Sequence, residues 1–139
     1  MAKDIYHDIV REALVKDGWT ITHDPYLIAQ TKRKPYEVDL GAEKIIAAER
    51  GTDYIAVEIK SFIGSSLAYD FHGAFGQYGI YRFFIATKDP NRKLFLAITE
   101  EVYNSFFQDV DIQAICDYFH VNLLVFDSTN KIITTWLEK

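Results

Sequence analysis

Apolar positions change period several times along the chain, and each change marks an element. Ile5, Ile9, Val10, Ala13 and Leu14 recur at helical spacing, which predicts a helix over Asp4–Lys16 with Asp17-Gly18 as its stop. Trp19–Thr22 reads as a short strand, His23-Asp24-Pro25 as a turn, and Tyr26–Thr31 as extended or irregular chain. Residues 38–62 read as a hairpin folded about Gly51-Thr52-Asp53. On its first strand Val38, Leu40, Ala42, Ile46 and Ala48 share one face, and Asp39, Glu43 and Glu49 share the other. Ala42–Arg50 are mostly good helix formers, so this stretch alone is also compatible with a helix; the pattern on both sides of the turn favours strands.

Past a polar, glycine-containing loop at Ser61–Ser66, Leu67–Phe84 predicts a second helix, and Lys88-Asp89-Pro90-Asn91-Arg92 breaks the pattern. Leu94–Ile98 follows as a strand, Glu100–Phe107 and Asp111–Phe119 as short helices, and Val121–Phe126 as a strand. The turn Ser128–Lys131 joins it to a final strand over Ile132–Trp136. The order is that of one α/β (α+β) unit, a central mixed β-sheet flanked by helices, without repeats or linkers. At 139 residues the chain suits a single domain spanning 1–139.

The candidate chemistry sits at the end of the run Tyr54-Ile55-Ala56-Val57. Glu58 and Lys60 are two apart on a strand and point to one face, their Cα atoms roughly 6–7 Å apart at about 3.3 Å per residue. Ile55, Val57 and Ile59 point the other way, into a core. A carboxylate there suits a divalent metal and an ammonium suits a phosphate or a nucleophilic water, although a surface ion pair at a strand end would have the same sequence. Asp39 offers a second carboxylate on the preceding strand. Gln77 and Tyr81, four apart, share a face of the second helix.

Asp39, Glu58-x-Lys60 and Gln77-x-x-x-Tyr81 together resemble the PD-(D/E)xK nuclease superfamily, with its restriction-endonuclease-like core. Val38-Asp39-Leu40, Ala47–Gly51, Val57–Phe62 and Ala74–Tyr78 are similar to the XisH family of fdxN element excision controlling factors, over nearly the whole chain. The resemblance implies a role in excising a DNA element from a chromosome, together with a site-specific recombinase and the small controlling factor XisI. It also implies a site in which Asp39, Glu58 and the Ile59 carbonyl hold Mg²⁺ or Mn²⁺, Lys60 orients or deprotonates a water, and Gln77 and Tyr81 position the lysine or the DNA. The Asp39–Glu58 separation leaves room for a bulge, so Glu43 could replace Asp39; parity puts both on one face and leaves that choice open. Glu12, on the first helix, is a further acid for the metal by the same resemblance, or a solvated helix residue.

A formal charge of −5 runs against a free-standing DNA binder, which usually carries a basic surface. Lys32-Arg33-Lys34 is a local basic run that could touch a phosphate backbone or simply be a solvated loop. The charge therefore points to DNA contact through metal or a partner, and leaves a second reading open: a catalytically inactive accessory of the same fold that binds DNA or XisI. Phe106, Phe107, Tyr118 and Phe119 would suit a protein interface, or the core. His72 is a candidate for the groove near Gln77. Cys116 reads as a small buried hydrophobe. Gly73, Gly76 and Gly79 recur every third residue in the second helix and would permit close packing, inside the chain or in a homodimer. No signal-like segment opens the chain and no run reaches the ~18 apolar residues of a membrane span, so a cytoplasmic protein is expected.

Overall fold

The strand that carries Glu58 is buried on both faces, and this decides the architecture. In the computed structural model, which describes residues 4–47 and 51–139, helix α1 (His7–Lys16) leads into strands β1 (Thr20–His23), β2 (Tyr26–Gln30), β3 (Pro35–Val38), β4 (Leu40–Ala47) and β5 (Gly51–Ile59). Helix α2 (Leu67–Lys88) crosses to β6 (Arg92–Thr99). Helix α3 (Glu100–Asn104), a 3₁₀ turn and helix α4 (Val110–Tyr118) cross to β7 (Leu123–Asp127), and β8 (Ile132–Leu137) ends the fold. Strands run in the order β1-β4-β5-β6-β7-β8, with β5, β6 and β7 parallel and the other pairings antiparallel. Parallel strands need long crossovers, and the helices in those crossovers cover the sheet.

Alternate residues of β5 and β6 therefore enter two different cores. Ala56, Leu94, Leu96 and Ile98 pack with Phe71, Ala74, Tyr78, Tyr81 and Ile85 of α2. Ile55, Val57, Ile59, Phe95 and Ala97 pack with Val10 and Leu14 of α1. The buried positions of α2 step by three and four residues in turn, which keeps one narrow stripe on the sheet. Ser66 caps this helix, its hydroxyl accepting the Tyr69 N–H at 3.2 Å. The helix runs beyond the expected end at Phe84 because Ile85 continues the stripe; it stops before Asp89-Pro90.

The expected first strand of the hairpin is two strands. Val38 pairs with Tyr26 in a separate β2–β3 sheet, whereas Leu40 pairs with Val57 in the main sheet, and the chain bends at Asp39 between them. Val38 and Leu40, assigned to one face by parity, lie in different cores. Tyr26–Gln30 is a strand whose register slips between Leu27 and Ala29, held by that pairing and by packing of Tyr26 and Ile28 beside α2. Leu40–Ala47 is strand and not helix. Ala48, Glu49 and Arg50 lie outside the described residues. Among the interface candidates Phe107 is buried and Phe106 half-buried, whereas Tyr118 and Phe119 are exposed.

Tyr78 joins α2 to the sheet. Its buried hydroxyl lies 3.0 Å from the Leu94 carbonyl and 3.2 Å from that of His120, and accepts the Asn122 N–H at 2.9 Å. Burial pushes its pKa up to about 12. The glycines of α2 do no such joining: a Cβ at Gly73, Gly76 or Gly79 would meet nothing within 4 Å, so close packing inside the chain does not account for them. Two stability measurements follow. Tyr78→Phe removes the partner of the Asn122 N–H and should cost about 1–3 kcal/mol in a denaturant titration. Gly76→Ala should stabilise the chain by roughly 0.5–1 kcal/mol, as for an open helix position, and a loss of stability there would mean that something else packs on this face.

Candidate functional site

Strand β5 delivers Glu58 to the α2 side of the sheet, near the strand's C-terminal end. Glu58 is 5% exposed, and its Oε1 has no hydrogen-bond partner among the described residues. Continuing the β4–β5 register by one residue past Leu40↔Val57 sets Asp39 opposite Glu58. Asp39 reaches across: its Oδ2 accepts the Ile59 N–H at 2.8 Å. That bond satisfies a backbone donor where the β4–β5 ladder ends, and fixes Asp39 at the bend. Two residues on, the Lys60 N–H donates to the Ala97 carbonyl at 3.1 Å, and Nζ stands 3.7 Å from Glu58 Oε2.

Two carboxylates so close, and so little hydrated, resist ionising together. Burial, then the neighbouring Asp39 carboxylate, push Glu58 up to about 8, against the opposing pull of Lys60. Asp39 is also raised by burial, with the Ile59 N–H acting against the shift. Tyr81 projects from α2 into the same region. Its phenol is held far above the ordinary range by burial, and by the charges of Glu58 and Asp39. Tyr36 of β3 stacks edge-on against it with ring centroids 6.4 Å apart. One turn earlier Gln77 carries a buried Oε1 without a partner among the described residues. Gln77, Lys60, Asp4 and Ser61 line an open groove of about 490 Å³, which runs beneath the N-terminal half of α2.

The fold thus brings Asp39, Glu58, Lys60, Gln77 and Tyr81 together. It does not bring the other sequence candidates. Glu43 pairs with Tyr54, four positions from Asp39, roughly 13 Å along the strand. Glu12 is exposed on α1 and pairs with Lys16 at 3.3 Å. Lys32, Arg33 and Lys34 form the exposed β2–β3 turn, closed by Thr31, and Lys34 sits over the Tyr36 ring at 4.9 Å. His72 is exposed and does not line the groove. Cys116 is buried and unpaired, and burial pushes its thiol up to about 11.

Helix α1 contributes different residues from the one expected. His7 is 4% exposed and lies close enough to Asp39 to favour its ionised form. His7 Nε2 is 2.7 Å from Asp24 Oδ1, and Arg11 donates to the other oxygen of Asp24 at 2.6 Å. Nδ1 of His7 has no partner among the described residues. Asp4 ties the start of α1 to the end of β5, its Oδ2 accepting the Ser61 N–H at 3.1 Å. The signal for His7 was its spacing: it precedes Val10 and Leu14 by three and seven residues and belongs to their buried stripe.

Two carboxylates, one of them with a buried oxygen unpartnered among the described residues, are oxygen donors suited to a hard divalent cation. The set is small: among the described residues no three His, Cys, Asp or Glu gather as ligands. No helix among the described residues is long and apolar enough to cross a membrane.

Known proteins give the lineage of this fold. A crystal structure of an XisH family protein from Nostoc punctiforme PCC 73102 superposes with a TM-score of 0.84 and 34% identity, over 96% of this chain and 99% of that one. The crystal structure of an fdxN element excision controlling factor protein from Anabaena variabilis gives a TM-score of 0.84 and 35% identity, over 97% and 99%. No curated protein matches. The family model described as XisH protein matches residues 1–134, and the chain belongs to the XisH family.

Proposed function

We propose that this chain acts in the excision of a chromosomal DNA element, as a divalent-metal-dependent phosphodiesterase working beside a recombinase and an XisI-like factor. The observation that carries the reading is the pair of half-buried Asp39 and buried Glu58, with a Glu58 oxygen unpartnered among the described residues and Lys60 beside it. The excision role rests on family membership and on the name of the Anabaena variabilis relative. The PD-(D/E)xK resemblance supplies the reaction class.

Asp39, Glu58 and the Ile59 carbonyl would hold Mg²⁺ or Mn²⁺, which when bound supplies charge stabilisation at a scissile phosphate. The chain's own groups do the rest. The Ile59 N–H keeps one oxygen of Asp39 engaged. Lys60, 29% exposed, reaches from the buried carboxylate to the open groove, where its ammonium can orient a water or meet a phosphate oxygen. Gln77 stands on the groove wall, and its buried carbonyl oxygen has no partner among the described residues. Tyr81 stays a neutral phenol and can only donate or accept a hydrogen bond. Exposed Tyr118 and Phe119 favour a second reading, a partner-binding accessory without cleavage.

Plasmid and branched-DNA cleavage with Mn²⁺ or Mg²⁺ separates the two. Glu58→Gln and Lys60→Ala should each lower metal-dependent nicking by about 100-fold or more. Wild type that neither binds metal by calorimetry nor cuts would sink the enzyme and leave the accessory. The proton on Glu58 gives an independent test. Its folded pKa lies above its unfolded one, so its contribution to stability is fully present below about 4.5 and is lost as pH rises through about 8. In chelator, Glu58→Gln should therefore melt higher than wild type at pH 8.5, and the gap should close towards pH 5. Metal affinity of wild type should rise over the same interval, because the cation displaces that proton.

A further inference from the structure

On the other face of the sheet lies a cavity that the Asp39–Glu58 site does not use. Its volume is about 280 Å³, near the lower end for ligand pockets, which begin at about 300 Å³. Trp19, Phe95 and Trp136 line it. The two indoles have centroids 5.6 Å apart, and Phe95 meets Trp136 edge-on at 4.9 Å. These rings belong to the α1 core, while Glu58 projects to the α2 side and lies three residues further along β5 than Ile55 of the cavity wall.

The rim is polar in both senses. Lys93 is bound to both oxygens of Glu138, at 3.0 and 3.1 Å. The Asp17 carboxylate takes the Trp19 indole N–H at 3.2 Å, and Lys44 donates to the Asp17 carbonyl at 2.9 Å while lying 5.8 Å from the Trp19 ring. These contacts leave the side chains of Asn91 and Asp53 without a hydrogen-bond partner among the described residues, one a donor and acceptor and the other an acceptor. A cationic guest would meet Lys44 and Lys93, and an anionic guest Asp17, Asp53 and Glu138. A neutral planar ring with hydrogen-bonding edges meets aromatic walls and two free polar groups.

We propose that this cavity binds one nucleobase, packed against the indole and phenyl rings, its edge read by Asn91 and Asp53. The shared chemistry is the base, whether on a free nucleotide or on an unpaired stretch of a strand. Stacking on aromatic side chains is worth about 1–3 kcal/mol per base, enough to hold it without a phosphate clamp. The proposal does not depend on cleavage at Glu58.

Trp19 and Trp136 are the chain's two tryptophans, so its indole fluorescence reports on this cavity. The full chain is titrated with each of the four deoxynucleoside 5′-monophosphates, with a short single-stranded oligonucleotide, and with the same oligonucleotide made abasic. Tetramethylammonium and benzoate serve as charge controls. A saturable change with mononucleotides supports a free nucleotide; one seen only with the oligonucleotide, and lost in the abasic form, supports a strand-borne base. Asn91→Ala with Asp53→Ala should weaken either by about tenfold or more at unchanged melting temperature. Glu58→Gln should leave it unaltered, so failure here is separable from failure of the nuclease reading. No saturable change with any base, an equal response to the charge controls, or binding unaffected by the paired variant would overturn the proposal.

Discussion

The hydrogen bond from the Ile59 N–H to Asp39 Oδ2 is the contact on which the α2 side of the molecule depends. It lies where the chain leaves the small β2–β3 sheet and enters the six-stranded one. An acid is suited to this place because a bend leaves a ladder donor unpaired, and a short carboxylate can reach it. Satisfying that donor brings a negative charge beside Glu58, which the alternation of β5 has already turned towards α2. The unfavourable proximity of the two acids therefore follows from the way the sheet is joined.

Such a pair is unfavourable to folding unless something offsets it. Lys60 does so in part, at 3.7 Å, and retained protons do so in part. The surrounding apolar shell, Ala56, Leu96 and α2, is what makes the pair costly and also what would make it selective for a small hard cation. Stability and candidate chemistry oppose each other at one point, the usual condition of a functional site. The cavity beyond the sheet shows no such opposition: its charges are arranged around aromatic walls, and two polar side chains remain to recognise a neutral ring.

The overall acidity of the chain has a structural counterpart. The basic run Lys32–Lys34 sits on the β2–β3 turn, roughly 17 Å along the strand from Asp39, and does not flank the groove. The groove wall carries Asp4 and Asp70 with Lys60. A DNA duplex laid there would gain little from phosphate neutralisation.

Most of the helices and strands, the α1 stripe, and the Glu58-x-Lys60 and Gln77-x-x-x-Tyr81 pairs were legible along the chain, because each depends on local period alone. The resemblance to the XisH family was legible in the same motifs. The break at Asp39 was not: period two continues through Val38, Asp39 and Leu40, and only pairing with two different partners separates the strands. That break chose Asp39 over Glu43 as the neighbour of Glu58, since register across strands and not parity within one sets the distance. The fold likewise put His7 on α1 near the acids and left Glu12 in solvent, because the side of a helix that meets the sheet is a tertiary fact. Trp19, Phe95 and Trp136, far apart in sequence, became one cavity wall only when β1, β6 and β8 were assembled. Local alternation determines which residues can share a face; the closing of the sheet, with its loop entropy and its pairing, decides which of them meet.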